Sequence, residues 1–303
     1  MNSAIIGDSP IMLILANYLK NKENITIYSD KNKIGGAWSY INHKNFNISR
    51  QTNVVVPVDK NVEKLQPKIN KSLIKYGIKI TKAQGYHKPN VHLAKKNYRY
   101  DFTKLFESKK KFKNINEYVE KITVKNNIIK INNLSYDKVY LPYFNGVNNF
   151  SINKKKFYLS PKIISSKHIL LIFKKLPIKA FVYTENFDHI FDRAQITKFK
   201  NFTSFTARVR LEHKKKTKLS LIKKSKIHDF AKNDNMIFSS LLRYKNYFRD
   251  IDNIKKLKSI CNHKNIKIID TYQFFEAYID LNKKFLKHFW DLLQLLNYSL
   301  KII

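Results

Sequence analysis

The stretch from Ala4 to Tyr40 constrains the chain more than any other. An apolar run, Ala4-Ile5-Ile6, stops at Gly7. A helical pattern follows from Ile11 to Leu19, with Leu13, Ala16 and Leu19 on one face. A second apolar run, Ile25-Thr26-Ile27-Tyr28, ends at Ser29-Asp30, and Ile34-Gly35-Gly36-Ala37-Trp38 comes next. Strand, tight turn, helix, strand and acid is the order of a βαβ unit whose first turn cradles a phosphate. The helix N-terminus there offers free amide N–H groups and the positive end of its dipole. In the fingerprint of such turns one Gly makes the bend, a second admits the ligand's backbone contact, and a third lets the helix close on the strand. Here Gly7 holds the first place, Ser9 the second and Met12 the third, and Asp8 adds a negative charge. Gly7, Ser9 and Pro10 are the candidate phosphate contacts. Asp30 lies 23 residues after Gly7, the spacing at which an acid meets a ribose hydroxyl. Ser29 takes that place if the register shifts by one, and Asp30 then only opens the polar turn to Lys33.

The rest of the composition narrows the class. A chain of 303 residues, 43% hydrophobic and 14% aromatic, buries a real core. No apolar run reaches the roughly 20 residues that span a bilayer. The N-terminus has no basic flank before its apolar start, so it reads as a first strand and not as a signal peptide. A single cysteine, Cys261, excludes an internal disulfide framework and a Cys-rich zinc site. A cytoplasmic location is the expectation. The net charge is +37, but 52 of the 59 basic residues are Lys and seven are Arg. Sites that read bases lean on Arg for bidentate contacts, so specific nucleic-acid binding is not favoured. A surface this basic attracts anionic ligands of other kinds.

Further along, Arg50 and Asn53 are the polar groups of the mixed segment ending at Pro57. Lys60–Tyr76 has patchy helical spacing and Gly77 as its cap, and a helix is expected over Asp101–Lys111, with Lys109-Lys110-Lys111 as a solvated end. Two alternating strands around Asn126-Asn127, then an apolar run closing at Pro142, make a hairpin signature. Strands are expected at Ile169–Phe173, Ala180–Thr184, Ile190–Ile196 and Ser204–Glu212. From Ile227 the chain reads as helical, with Ile227–Tyr247, Ile251–His263 and Phe274–Leu296 amphipathic and one short strand at Ile266–Asp270. No zinc motif, nucleophile elbow or P-loop occurs.

The phrases AIIGDSPIMLILANYL, ITIYSD and KIGGAWSY together resemble the FAD-binding start of the amine oxidase, protoporphyrinogen oxidase and UDP-galactopyranose mutase superfamily. The resemblance implies an α/β fold: a Rossmann-like FAD-binding domain (parallel sheet with β-meander) plus a smaller β-rich substrate domain with helices. The implied FAD domain takes residues 1–57, 115–150 and 264–303, and the substrate domain takes 58–114 and 151–263. It implies FAD contacts from Gly7, Ser9, Pro10, Ser29, Asp30, Gly35, Gly36, Ala37 and Trp38, with Val119 or Ile122 at the adenine end. The phrase FDHIFDRA resembles the superfamily's substrate-domain strand, which makes Arg193 the preferred substrate or anion contact. An ion pair of Arg193 with Asp188, Asp192 or Glu212 is the competing reading. The implied function is an FAD-dependent oxidoreductase, or a flavin-dependent mutase-like enzyme, acting on a small anionic or nucleotide-sugar substrate. The alternative is a basic, non-enzymatic binding protein for nucleic acid or another polyanion on a flavoprotein scaffold. The sequence names no catalytic acid or base.

Overall fold

The computed structural model of the chain describes residues 1–29, 34–35, 39–43, 46–49, 54–55, 67, 70–71, 73–83, 86–88, 97–142, 147–159, 162–174, 181–185, 187–198, 201–228, 236–248, 256, 259 and 265–269. Asp30, Gly36, Ala37, Trp38, Arg50, Asn53, Cys261 and the expected helix Phe274–Leu296 lie outside them.

A five-stranded parallel sheet forms the first layer. Strand β1 (Asn2–Ile6) lies at its centre, between β2 (Asn24–Tyr28) and the strand Lys138–Pro142. Lys113–Ile115 flanks β2, and Ile266–Ile269 flanks Lys138–Pro142. Helix α1 (Pro10–Leu19) crosses from β1 to β2. Proline opens this helix well, because the first turn does not use its missing N–H.

A parallel sheet buried on both faces needs apolar residues on both. Ile5, Ile27 and Tyr140 pack with α1, Phe102, Leu105 and Phe106 on one side. Ala4, Ile6, Tyr28, Val139 and Leu141 pack on the other against Val119, Ile122, Ile129 and Phe150. That second cover is the expected β-meander: Lys121–Lys125, Ile128–Ile131 and Leu134–Tyr136, antiparallel in turn. Asn126 and Asn127 both take positive φ, as a two-residue hairpin turn demands. Tyr28 and Tyr136 share an O···O contact of 2.9 Å between the layers. Burial holds the Tyr28 phenol protonated well above its ordinary range.

The second half builds a six-stranded sheet. Its order is Met236–Phe248, Lys162–Phe173, Thr203–Val209, Phe191–Lys198, Phe181–Glu185 and Tyr86–Lys88. Both faces carry core, led by Leu171, Phe191 and Phe205 on one and by Leu170, Ile172 and Leu242 on the other. The four strands expected between 165 and 213 are all present.

One expectation fails here. Ile227–Tyr247 reads as an amphipathic helix, yet Met236–Phe248 is a strand, paired antiparallel along the whole of Lys162–Phe173. Its Ile, Phe and Tyr suit a pleated surface, and the long partner strand supplies the hydrogen bonds that local spacing does not reveal. The expected helix Asp101–Lys111 is shorter. It runs as Thr103–Glu107 and continues as a 3-10 turn over Ser108–Lys111. Among the described residues no helix is long and apolar enough to cross a membrane.

Candidate functional site

Gly7 follows the carboxyl end of the central strand β1, beside the point where the strand order reverses, between β1 and Lys138–Pro142, and open α/β sheets place their ligands at such a point. Gly7 ends β1 with φ +93, and its N–H donates to Tyr28 O across the gap at 2.7 Å. A Cβ built on Gly7 would meet nothing within 4 Å, so the bend is open to a ligand. Ser9 precedes α1 in an extended conformation, but its side chain does not cap the helix. The Ser9 hydroxyl oxygen is buried without a hydrogen-bond partner. Open backbone at Gly7, an uncapped helix start and an unsatisfied hydroxyl together suit a phosphate.

The neighbouring residues are turned inward. Asp8 is only 6% exposed. Its Oδ1 accepts from the Gly35 N–H at 3.1 Å, and its Oδ2 takes Lys109 Nζ at 2.9 Å. Lys109 is equally buried, and its ammonium also donates to Ser29 Oγ. The ammonium therefore bridges the first turn to the end of β2. The sequence reading of Lys109 as part of a solvated run is corrected: the 3-10 turn carries it under the edge of the sheet, where a carboxylate neutralises it.

Gly35 is glycine for a reason inside the protein. Its φ is +86, and a Cβ there would stand 2.4 Å from Cζ of Phe106. The Phe106 ring is packed edge-on against Tyr40 and at a tilt against Phe102, so it has little room to yield. Gly35→Ala is expected to cost about 2–3 kcal/mol, from the left-handed backbone plus overpacking. Gly7→Ala, strained in backbone alone, is expected to cost about 1 kcal/mol. Urea midpoints of the two variants check this, and equal losses would contradict the Phe106 contact.

The remaining predicted site residues fall as follows. Pro10 is buried at the first turn of α1. Val119 is buried among Tyr28, Ile122 and Val124, just before the first meander strand. Arg193 lies in Phe191–Lys198, paired by backbone with Glu185 and Arg208. Two of the three carboxylates proposed as its partners, Asp192 and Asp188, have contacts of their own. Asp192 holds Arg208, with Nε at 2.8 Å and Nη2 at 2.6 Å. Asp188 accepts from the backbone N–H groups of Ile190, Phe191 and Lys226 and from the Ser225 hydroxyl. Among the described residues no group of three His, Cys, Asp or Glu could hold a metal.

A central β1 flanked by β2 and Lys138–Pro142, a meander over one face and a second, mostly antiparallel sheet make up the described fold. No protein-family model and no curated protein matches the sequence. Solved structures do. Reduced UDP-galactopyranose mutase matches with a TM-score of 0.60 at 12% identity, over 88% of this chain and 87% of that one. A putative protoporphyrinogen oxidase from Exiguobacterium sp. 255-15 matches at 0.58 and 9%, over 89% and 93%. A CLA-producing fatty acid isomerase from P. acnes matches at 0.54 and 11%, over 88% and 93%. The chain shares the fold of these structures, a Rossmann-type α/β fold, as the resemblance implies.

Sharing the fold does not carry over the cofactor, and the residues at the turn decide the fit. The turn itself suits a phosphate. Among the described residues, the groups adjoining it are engaged within the protein. Ser29, six residues before Gly35, has its hydroxyl on Lys109. The Gly35 amide is directed at Asp8. An anion of the protein's own already sits beside the cradle, with its counter-ion.

Proposed function

We propose that this chain is a binding protein for anionic, phosphate-bearing ligands built on the flavoprotein fold, with no resident flavin. The observation that carries the reading is the bridge Asp8–Lys109–Ser29. A dinucleotide that drew on Asp8, Lys109 or the Ser29 hydroxyl would have to break a buried ion pair or its hydrogen bond, and one unpaired buried charge costs several kcal/mol. What the chain retains is charge: 59 Lys and Arg against 22 Asp and Glu. Such a field draws anions and raises their local concentration.

A second reading has its own support. The open bend at Gly7 and the unsatisfied Ser9 hydroxyl favour an FAD-dependent oxidoreductase, or a mutase-like enzyme, for a small anionic or nucleotide-sugar substrate. FAD would supply the redox chemistry, and the chain's part would be to hold phosphate at Gly7 and Ser9.

One experiment separates them. The protein is purified without added cofactor, its visible spectrum is recorded, and FAD is titrated in by calorimetry. The first reading expects no flavin absorption and no saturable uptake. Flavin that co-purifies and is released on denaturation would overturn it and establish the second.

A further inference from the structure

The opposite, amino edge of the parallel sheet carries a feature that the cradle does not explain. Lys20, Asn21, Lys22, Glu23, Asn24 and Ile25, with Lys111, Phe112 and Lys113 facing them, line a cavity of about 440 Å3. The turn after α1 supplies the first group, and the approach to Lys113–Ile115 supplies the second. Four lysines thus line one cavity of the size that small ligands fill.

Like charges gathered at one opening repel each other, so the cluster needs an explanation. Two of the four have a local one. Lys20 caps α1 and Lys111 ends the 3-10 turn, where a cation complements the helix carbonyls. Lys22 and Lys113 have no such role. The lining holds one carboxylate, Glu23, whose oxygens are engaged by residues outside the lining. The Tyr140 hydroxyl sits at 2.9 and 3.1 Å from its two oxygens, and Lys138 Nζ lies 3.5 Å from one of them. Glu23 is buried with these partners. Among the described residues, none of Lys20, Lys22, Lys111 and Lys113 forms an ion pair. The cavity therefore has cations without a counter-ion, and an apolar wall in Ile25 and the half-buried Phe112 ring.

We propose that this amino-edge pocket is where the chain holds its ligand. That ligand is a small phosphorylated molecule, its phosphates among Lys20, Lys22, Lys111 and Lys113 and its organic part against Phe112. The inference rests on the anion-binding reading above and gives it a place and a ligand class. It puts the site on the far edge of the sheet from the Gly7 turn, so Asp8 and Lys109 are not part of it.

The test is calorimetric titration of inorganic triphosphate into the full chain at about 0.15 M salt, where long-range charge effects are screened. Two double variants are compared, each losing two exposed lysines: Lys22→Ala with Lys113→Ala in the pocket, and Lys121→Ala with Lys125→Ala on the hairpin. The expected result is one saturable site whose affinity falls at least about tenfold, some 1.4 kcal/mol, in the pocket variant and less than about twofold in the hairpin variant. Equal losses in the two variants would overturn the pocket while leaving the anion-binding reading intact. No binding by the unaltered chain would overturn both.

Discussion

Lys109→Met will destabilise the chain by about 4 kcal/mol, the largest loss expected from any single change at the first turn. The Asp8 carboxylate would be left buried, with the Gly35 amide as its remaining partner and no cation. Methionine matches the lysine stem in length, so packing is nearly kept and the loss reports the charge. Adding Asp8→Asn should restore most of the stability. No buried charge then remains, and the new amide oxygen can still accept from Gly35 N–H. Replacing both members of a buried pair is often close to neutral, whereas removing one is not. Urea unfolding of the two variants measures this. A single variant as stable as the parent would mean that water reaches Asp8, and the closed bridge would have to be abandoned. The double variant carries a further consequence. With the bridge gone, the Ser29 hydroxyl is released, and any affinity of the turn for FAD should rise above that of the parent.

Asp188→Ala should cost nearly as much, about 3–4 kcal/mol, in the other half of the molecule. This carboxylate is 8% exposed and makes four hydrogen bonds. Oδ1 accepts from Ile190 and Phe191 N–H at 2.8 Å each, and Oδ2 accepts from Ser225 Oγ at 2.5 Å and Lys226 N–H at 3.1 Å. It shapes the turn into Phe191–Lys198 and ties that turn to the segment after the helix Lys218–Lys223. Alanine would orphan three backbone donors and a hydroxyl, each with a desolvation cost of its own. Asp188→Asn keeps an acceptor for one pair only, so about half the loss is expected. Amide hydrogen exchange gives the local readout. Protection at Ile190, Phe191 and Lys226 should fall before the parallel sheet responds, and a uniform change over both halves would contradict the assignment.

These two carboxylates show how far sequence reading reaches. Asp188 stands out in the sequence as part of an acidic turn, and the obvious partner is an arginine. The structure gives it backbone amides instead, and gives Arg208 to Asp192. A carboxylate seeks whichever donors the fold leaves unsatisfied, and those donors exist only once the turn is formed. Asp8 is visible as a misplaced charge in a phosphate turn, but its partner lies 101 residues on, in a run of three lysines that looks like solvated surface. Only one of those three, Lys109, is buried.

The local geometry was legible because short-range physics decides it. Two apolar runs separated by a helical repeat make β1, α1 and β2 wherever they are placed. Gly7 and Asn126-Asn127 mark turns because few residues tolerate a positive φ. The apolar strand ending at Pro142 and the short strand Ile266–Ile269 could be read for the same reason, while the fold class came from the family resemblance of the first forty residues. Tertiary structure alone decided the rest. Met236–Phe248 is a strand because Lys162–Phe173 lies beside it, against a helix-like local pattern. Gly35 is a glycine because Phe106 presses on it. The Gly7 turn holds a buried ion pair because the chain brings Lys109 back to it. Each of these depends on a neighbour remote in sequence, and the free energy of such a contact appears only when the two segments meet.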